Sequence, residues 1–433
     1  MSPLEAGATG LAGLLLLILL QVPIGFSMLV VGVVGYALLS SWPAALSVLV
    51  SEPATILTNV DLATLPLFLL MGTFATLAGF STDLYNAISA LFGHRRGGLG
   101  YATVASCAAF GVVCGSSTAT AATFARSALP EMLRRDYSES FATGTIAAGG
   151  TLKSLIPPSI VMILYSIAAN VFIFDLFIAA VVPALLAIAL NMAAVGVIVR
   201  LKPSDAPTAP RLGWDQRLAA LKQALPAMAL ILAVFGGLYS GIFTVNEAAS
   251  VAAVLSLAAA IVRCKLSLAN LAAGLREAGS ATAMLYMILI GAFVFSNFIS
   301  LARVPEAMGE LIQGLTLPPL AVILVILLIY LVLGAIFDEI SAMLITLPFI
   351  LPVIVKLGYD PVWWGIVNVV VIELGMIIPP VGVVVFVIHG VARDIAIRTI
   401  YKGVAGFIAA DLVLLALLVL FPGLSLWLLR LAS

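Results

Sequence analysis

The chain is a succession of long apolar runs parted by short polar ones, at residues 10–39, 44–58, 64–91, 99–132, 139–168, 176–199, 224–241, 244–262, 280–301, 318–357, 361–390 and 403–429. A helix needs about 20 apolar residues to cross a bilayer, so the pattern predicts an all-α, polytopic membrane protein. Two runs carry a polar break near the middle: GSSTAT (Gly115 to Thr120) inside 99–132, and GAIFDEIS (Gly334 to Ser341) inside 318–357. Polar backbone persists at membrane depth only where protein or water satisfies it. Each break therefore predicts the tip of a re-entrant hairpin with an apolar arm on either side.

Each hairpin is followed by an apolar run holding a proline pair, LIPPS (Leu155 to Ser159) and IIPPVG (Ile377 to Gly382). Proline removes a backbone donor and clashes with the preceding turn, so two in succession break a helix. The order of span, hairpin, broken helix and span recurs over 64–199 and 280–429, an internal repeat. His94, Arg95, Arg96, Arg134 and Arg135 flank the first hairpin, which the positive-inside rule places on the cytoplasmic side. Glu306, Glu310 and Asp360 outweigh Arg303 and Lys356 around the second, which enters from outside. Threading the spans between them puts Arg200, Lys202, Arg211, Arg217, Lys222, Arg263, Lys265, Arg276, Arg393, Arg398 and Lys402 inside and both termini outside. The repeats are thus of inverted topology, an arrangement of secondary transporters that bind at the membrane midplane.

Composition agrees with this reading. Hydrophobic residues make up 63% of the 433 and charged residues 9%, with a mean hydropathy of +1.23. A soluble domain has too much polar surface to cover for such a balance, which excludes water-soluble enzymes and nucleic-acid binders. Twenty Lys and Arg offset twenty Asp and Glu. Cys107, Cys114 and Cys264 are odd in number and lie in or beside apolar runs, so they read as small buried residues with no disulfide framework. Glu5 stands where a signal peptide would carry a basic residue, so the first run reads as a retained span. His94 and His389 lack partners at ligand spacing, and no transition-metal site is implied. The chain carries no nucleophile elbow, zinc-protease or phosphate-loop motif: it reads as no enzyme, and an ion gradient or a partner must supply energy.

Candidate chemistry gathers at the breaks. Gly115, Ser116, Ser117, Thr118 and Thr120 offer carbonyls and hydroxyls, as Gly334, Asp338 and Ser341 do at the second tip, and hard cations such as sodium take oxygen ligands. The plainer alternative is a small-residue packing face. Pro157, Pro158 and Ser159, and Pro379, Pro380 and Gly382, open half-helices whose unsatisfied N–H groups attract anions. The plainer alternative there is a pair of structural kinks. Ionisable residues inside membrane segments are candidates by default: Glu339, Lys153, Arg126, Glu247 and Glu373, the last three favouring a structural hydrogen bond or an interfacial position.

The stretches GSSTATAATFARSALPEM (Gly115 to Met132), GTLKSLIPPSIVMILYSIAA (Gly150 to Ala169), FTVNEAA (Phe243 to Ala249), LGAIFDEISAMLITLPFILPV (Leu333 to Val353) and ELGMIIPPVGVVVFV (Glu373 to Val387) resemble, in this order, the large membrane subunit of tripartite ATP-independent periplasmic (TRAP) transporters. The resemblance covers essentially the whole chain. It implies a sodium-driven secondary transporter of the elevator-type ion-transporter superfamily that imports organic acids across a bacterial inner membrane. It also implies two partners, a small membrane subunit of about four helices, fused in some relatives, and a periplasmic substrate-binding protein. On this view 1–63 and 224–279 are scaffold helices, 200–223 is a cytoplasmic linker, and 64–199 and 280–433 are the repeats, with hairpins 99–132 and 318–357 and broken helices 139–168 and 361–390. The rival readings are a single-chain sodium- or proton-coupled carboxylate carrier and, in a different class, a passive channel or structural subunit.

Two departures from the resemblance stand out. Ile378 and Val384 replace the Thr and Asn of the usual TPPVGxN, which bears on the second sodium site or the substrate contact. Lys153 replaces a small residue, so it stands near the substrate carboxylate, replaces a bound cation, or snorkels to the interface.

Overall fold

The computed structural model describes residues 2–263, 267–314 and 317–432; Cys264 and Lys265 lie outside them. All regular structure among these residues is helical, and nine helical stretches are long and apolar enough to cross a membrane. The chain opens with α1 (Pro3–Leu19), α2 (Ile24–Leu39), α3 (Trp42–Thr58), α4 (Thr64–Ala78) and α5 (Phe80–Phe92). The first hairpin is α6 (Gly98–Cys114) and α7 (Ser117–Ser127), extended by α8 (Leu129–Arg134). The first broken helix is α9 (Glu139–Thr151), a 3-10 turn (Leu152–Leu155) and α10 (Ile160–Ala169), followed by the long α11 (Ile173–Leu201). The second half runs through α12 (Trp214–Tyr239), α13 (Val245–Val262), α14 (Leu268–Leu301) and α15 (Val304–Gly314). It continues with the hairpin α16 (Pro319–Ile336) and α17 (Glu339–Lys356), the broken helix α18 (Pro361–Gly375) and α19 (Val383–Val391), and finally α20 (Ile397–Leu420) and α21 (Gly423–Ala432).

Three apolar runs are each two helices, among them 403–429, which parts at Phe421 and Pro422 between α20 and α21. Run 10–39 breaks at Gln21, in the left-handed region with φ 63°, ahead of Pro23. Run 64–91 breaks at Gly79, whose φ of 82° ends α4. Hydropathy averaged over a run hides such turns, because a single Gln or Gly barely lowers its apolar composition. Helix α14 begins twelve residues before the run at 280–301, so a boundary at 279/280 falls inside one helix. The 200–223 linker likewise ends at Trp214, where α12 starts. Its backbone is tied down by the Ser138 N–H, which donates to the Asp205 carbonyl at 3.0 Å.

Helix α2 crosses α14, and α4 packs on α13 and α14. The first crossing is close: a Cβ at Gly25 would stand 2.7 Å from the Met287 carbonyl oxygen. In a membrane, where lipid is as apolar as leucine, such small-residue contacts hold helices together. The remaining helices interlock across the two halves. Helix α9 lies on α20 and α18 on α11, while the second arms of the hairpins reach across, α7 to α19 and α17 to α10. Gly334 of α16 and Gly375 of α18 touch backbone to backbone, a Cβ on Gly375 standing 2.7 Å from the Gly334 carbonyl carbon. This crossing over brings both tips and both breaks into one neighbourhood.

Candidate functional site

At the first tip the chain leaves α6 through Gly115, whose φ of 72° favours glycine. Ser116 caps α7 by accepting from the Ala119 N–H at 3.3 Å, and its hydroxyl meets that of Thr118 at 3.1 Å. Ser117 and Thr120 point inward and are buried, and the Thr120 hydroxyl has no partner. At the second tip Asp338 caps α17, accepting from the N–H groups of Ile340 and Ser341 at 3.1 Å each and from the Ser341 hydroxyl at 2.5 Å. Asp338 is exposed; its neighbour Glu339 turns inward and is buried.

The two breaks differ. Residues 151–160, Pro157 and Pro158 among them, are all buried, and Ser159, the first residue before α10, has an unpartnered hydroxyl. At the second break Pro379, Pro380 and Val381 are exposed, and the Tyr401 hydroxyl of α20 meets the carbonyls of Pro380 and Val381 at 3.1 and 2.7 Å. At this second break the expectation of unsatisfied N–H groups is corrected for two of them. The Gly382 N–H donates to Ala335 of the adjoining hairpin and the Val384 N–H to Met376, both at 3.1 Å. The close Gly334–Gly375 contact allows this by bringing α16 up against the break. Ile378 is half-buried and Val384 buried, so neither leaves a polar gap.

Between tips and breaks lies a cluster of five side chains drawn from four elements. Lys153 of the 3-10 turn is 0% exposed. Its ammonium stands 3.6 Å from Glu339 Oε1 and donates to the Ser154 hydroxyl at 3.1 Å. Ser154 donates to Glu339 Oε2 at 2.5 Å and meets Ser117 at 2.9 Å. Ser117 stands 2.8 Å from Glu373 Oε1 and 3.3 Å from Glu339 Oε2, while Glu373 Oε2 is buried without a partner. Lys153 therefore does not snorkel. The lysine stem fits because Gly111 of α6 leaves room, a Cβ there standing 2.7 Å from Lys153 Cβ.

Of the residues expected from sequence, Ser117 and Lys153 are in the cluster, and Gly115, Thr120 and Ser159 border it along the chain. Asp338, Ser341, Pro379 and Pro380 lie outside it. Sequence reasoning passed over Ser154, and named Glu339 and Glu373 as candidates without placing either among the sodium- or substrate-binding residues. The usable signal was the charge itself, Lys153 alone in an otherwise uncharged break and Glu339 beside Asp338 at a polar tip. Glu247 closes a capping box with Thr244 at the start of α13, and Arg126 is exposed at the end of α7. Elsewhere a cavity of about 590 Å³ opens between the α3–α4 and α12–α13 connections and the end of α10, lined by Asn59, Asp61, Ser166, Asn170, Phe172 and Asn246 among others.

A multi-pass helical bundle with polar groups sealed where two hairpins meet two interrupted helices defines the class of membrane transporters. Residues 11–424 match the family described as the tripartite ATP-independent periplasmic transporter, DctM component, and the chain belongs to that family. It is 37% identical over 334 residues to the C4-dicarboxylate TRAP transporter large permease protein DctM of Pseudomonas aeruginosa, covering 77% of this chain and 78% of that one. It is 30% identical over 417 residues to the ectoine TRAP transporter large permease protein TeaC of Halomonas elongata, covering 96% and 97%. Among solved structures the YdaH transporter of Alcanivorax borkumensis shares the fold at a TM-score of 0.59 and 16% identity, over 88% of this chain and 89% of that one.

Proposed function

We propose that this chain is the membrane-spanning large subunit of a secondary transporter that carries an organic acid, inward and with sodium, across a bacterial inner membrane. A periplasmic binding protein delivers the substrate, and a small membrane subunit completes the assembly. The two halves act as inverted repeats, and the hairpins with the broken helices move as one body in an elevator motion. The observation that supports this reading is the buried Ser117–Lys153–Ser154–Glu339–Glu373 cluster, to which both hairpin tips, the first break and the second broken helix contribute. Sodium is assigned to the first tip and first break, where Thr120 and Ser159 present buried hydroxyls with no protein partner beside the carbonyls of Gly115 and Ser116. Hard cations take such oxygens. A C4-dicarboxylate is the substrate class favoured by the 37% identity to a relative named for it.

The test is uptake of labelled succinate by proteoliposomes holding both membrane subunits, with the cognate binding protein outside. Accumulation should require an inward sodium gradient and the binding protein. Thr120→Val should raise the sodium concentration for half-activation about tenfold, the effect of losing one oxygen ligand. Uptake without the binding protein would mark a single-chain carrier, and equilibration without accumulation would mark a passive channel.

A further inference from the structure

We propose that Lys153 is a tethered coupling cation: its ammonium permanently fills a position that a dissolved cation would otherwise take, so each cycle exchanges one cation fewer than it would without this lysine. The inference rests on the cation-coupled reading above and adds to it how one cation position is filled.

The surroundings of the ammonium are those of a cation site. Its hydrogen-bond and ion-pair partners are oxygens, Ser154 Oγ at 3.1 Å and Glu339 Oε1 at 3.6 Å, with Ser117 Oγ linking Ser154 to Glu373 Oε1 on the far side. These oxygens come from a hairpin tip, a break, the other tip and the other broken helix. The ammonium is ion-paired with Glu339 alone, while Glu373 closes the group through Ser117, with its Oε2 atom buried and unpartnered. Glu373 is 5% exposed and Glu339 8%, so bulk water screens neither. Buried charges persist only when matched and hydrogen-bonded. The stem of Lys153 runs against Gly111, which fixes the ammonium in place instead of letting it follow the membrane surface.

Truncating this side chain would leave a hole bordered by the Ser154 hydroxyl and the Glu339 carboxylate, with Ser117 and Glu373 one hydrogen bond behind them. Such a lining is a ready site for a small monovalent cation.

The experiment uses the purified complex of large and small subunits, with sodium chloride titrated against choline chloride at constant ionic strength and thermal stability as the readout. Lys153→Ala should acquire a sodium-dependent rise in melting temperature over and above that of the native complex, and Glu373→Gln in the Lys153→Ala background should remove the increment. Lys153→Gln, which keeps more of the packing, should behave like Lys153→Ala. In proteoliposomes the Hill coefficient for sodium in succinate uptake should rise by about one in Lys153→Ala. Sodium curves of both variants that overlay the native curve would overturn the proposal, as would variants that fail to fold and are not recovered by sodium over choline. Absence of succinate uptake in the native complex would count against the transport reading, while the stability measurement would still decide the role of Lys153.

Discussion

Asp338 and Glu339 are adjacent carboxylates in opposite situations, and the difference is measurable. Asp338 is exposed and caps α17, and losing an N-cap costs about 0.5–2 kcal/mol. Glu339 is buried against Lys153, and removing one partner of a buried pair costs about 3–5 kcal/mol because the other charge is left unmatched. Asp338→Ala is therefore expected to lower the melting temperature slightly and Glu339→Ala severely, with Lys153→Met restoring much of the loss in the Glu339→Ala background. The reverse order in a thermal melt of the purified complex would refute the assignment. Sequence alone pointed to Asp338, since a polar tip with an aspartate at its start looks like a cation site. Which of two neighbours turns inward depends on the helix phase after the cap, and that phase is fixed by where α17 begins.

At the scale of elements, the breaks and hairpin tips were legible because proline pairs and polar runs interrupt long apolar stretches. Turns that keep an apolar composition were not: Gly79 between α4 and α5 is one. Helix α15 was missed for a related reason, since Glu306, Gly309 and Glu310 dilute its apolar face below the level of a span. The contacts between elements depend on glycines that no hydropathy pattern reveals. Gly375→Ala should push α18 away from α16, a backbone contact with no flexible side chain to yield, at about 1–3 kcal/mol of lost stability. Gly390 in α19 has nothing within 4 Å of a built Cβ, so Gly390→Ala should be neutral or stabilise by up to about 1 kcal/mol through helix propensity. Denaturation of the two variants side by side checks the contrast. The Gly334–Gly375 contact also holds Ala335 where it accepts from Gly382, so loosening it should disturb the second break first.

For the whole molecule, the paired order of hairpin and broken helix was readable from the chain, but the way the halves exchange partners was not. Nothing local in α9 says that it will lie on α20 and not on α18. The inverted sense of the two halves is tested by labelling. Arg95 and Glu310 are both exposed, and single cysteines at these positions, with the native cysteines replaced, should react with an impermeant maleimide from opposite sides of the membrane. Reaction from one side would remove the inverted-repeat reading while leaving the fold intact. The long reach of the central cluster also bears on how the protein is made. Ser154 and Glu339 are 185 residues apart, and at ribosomal speeds of about 5–20 residues per second that is roughly ten to forty seconds of synthesis. During that interval the nascent first half must hold Lys153 without its carboxylates, at a standing penalty of about 2.5–3.5 kcal/mol if the lysine sits at mid-membrane. Over that interval the first half carries a lysine whose matching Glu339 carboxylate has yet to be made.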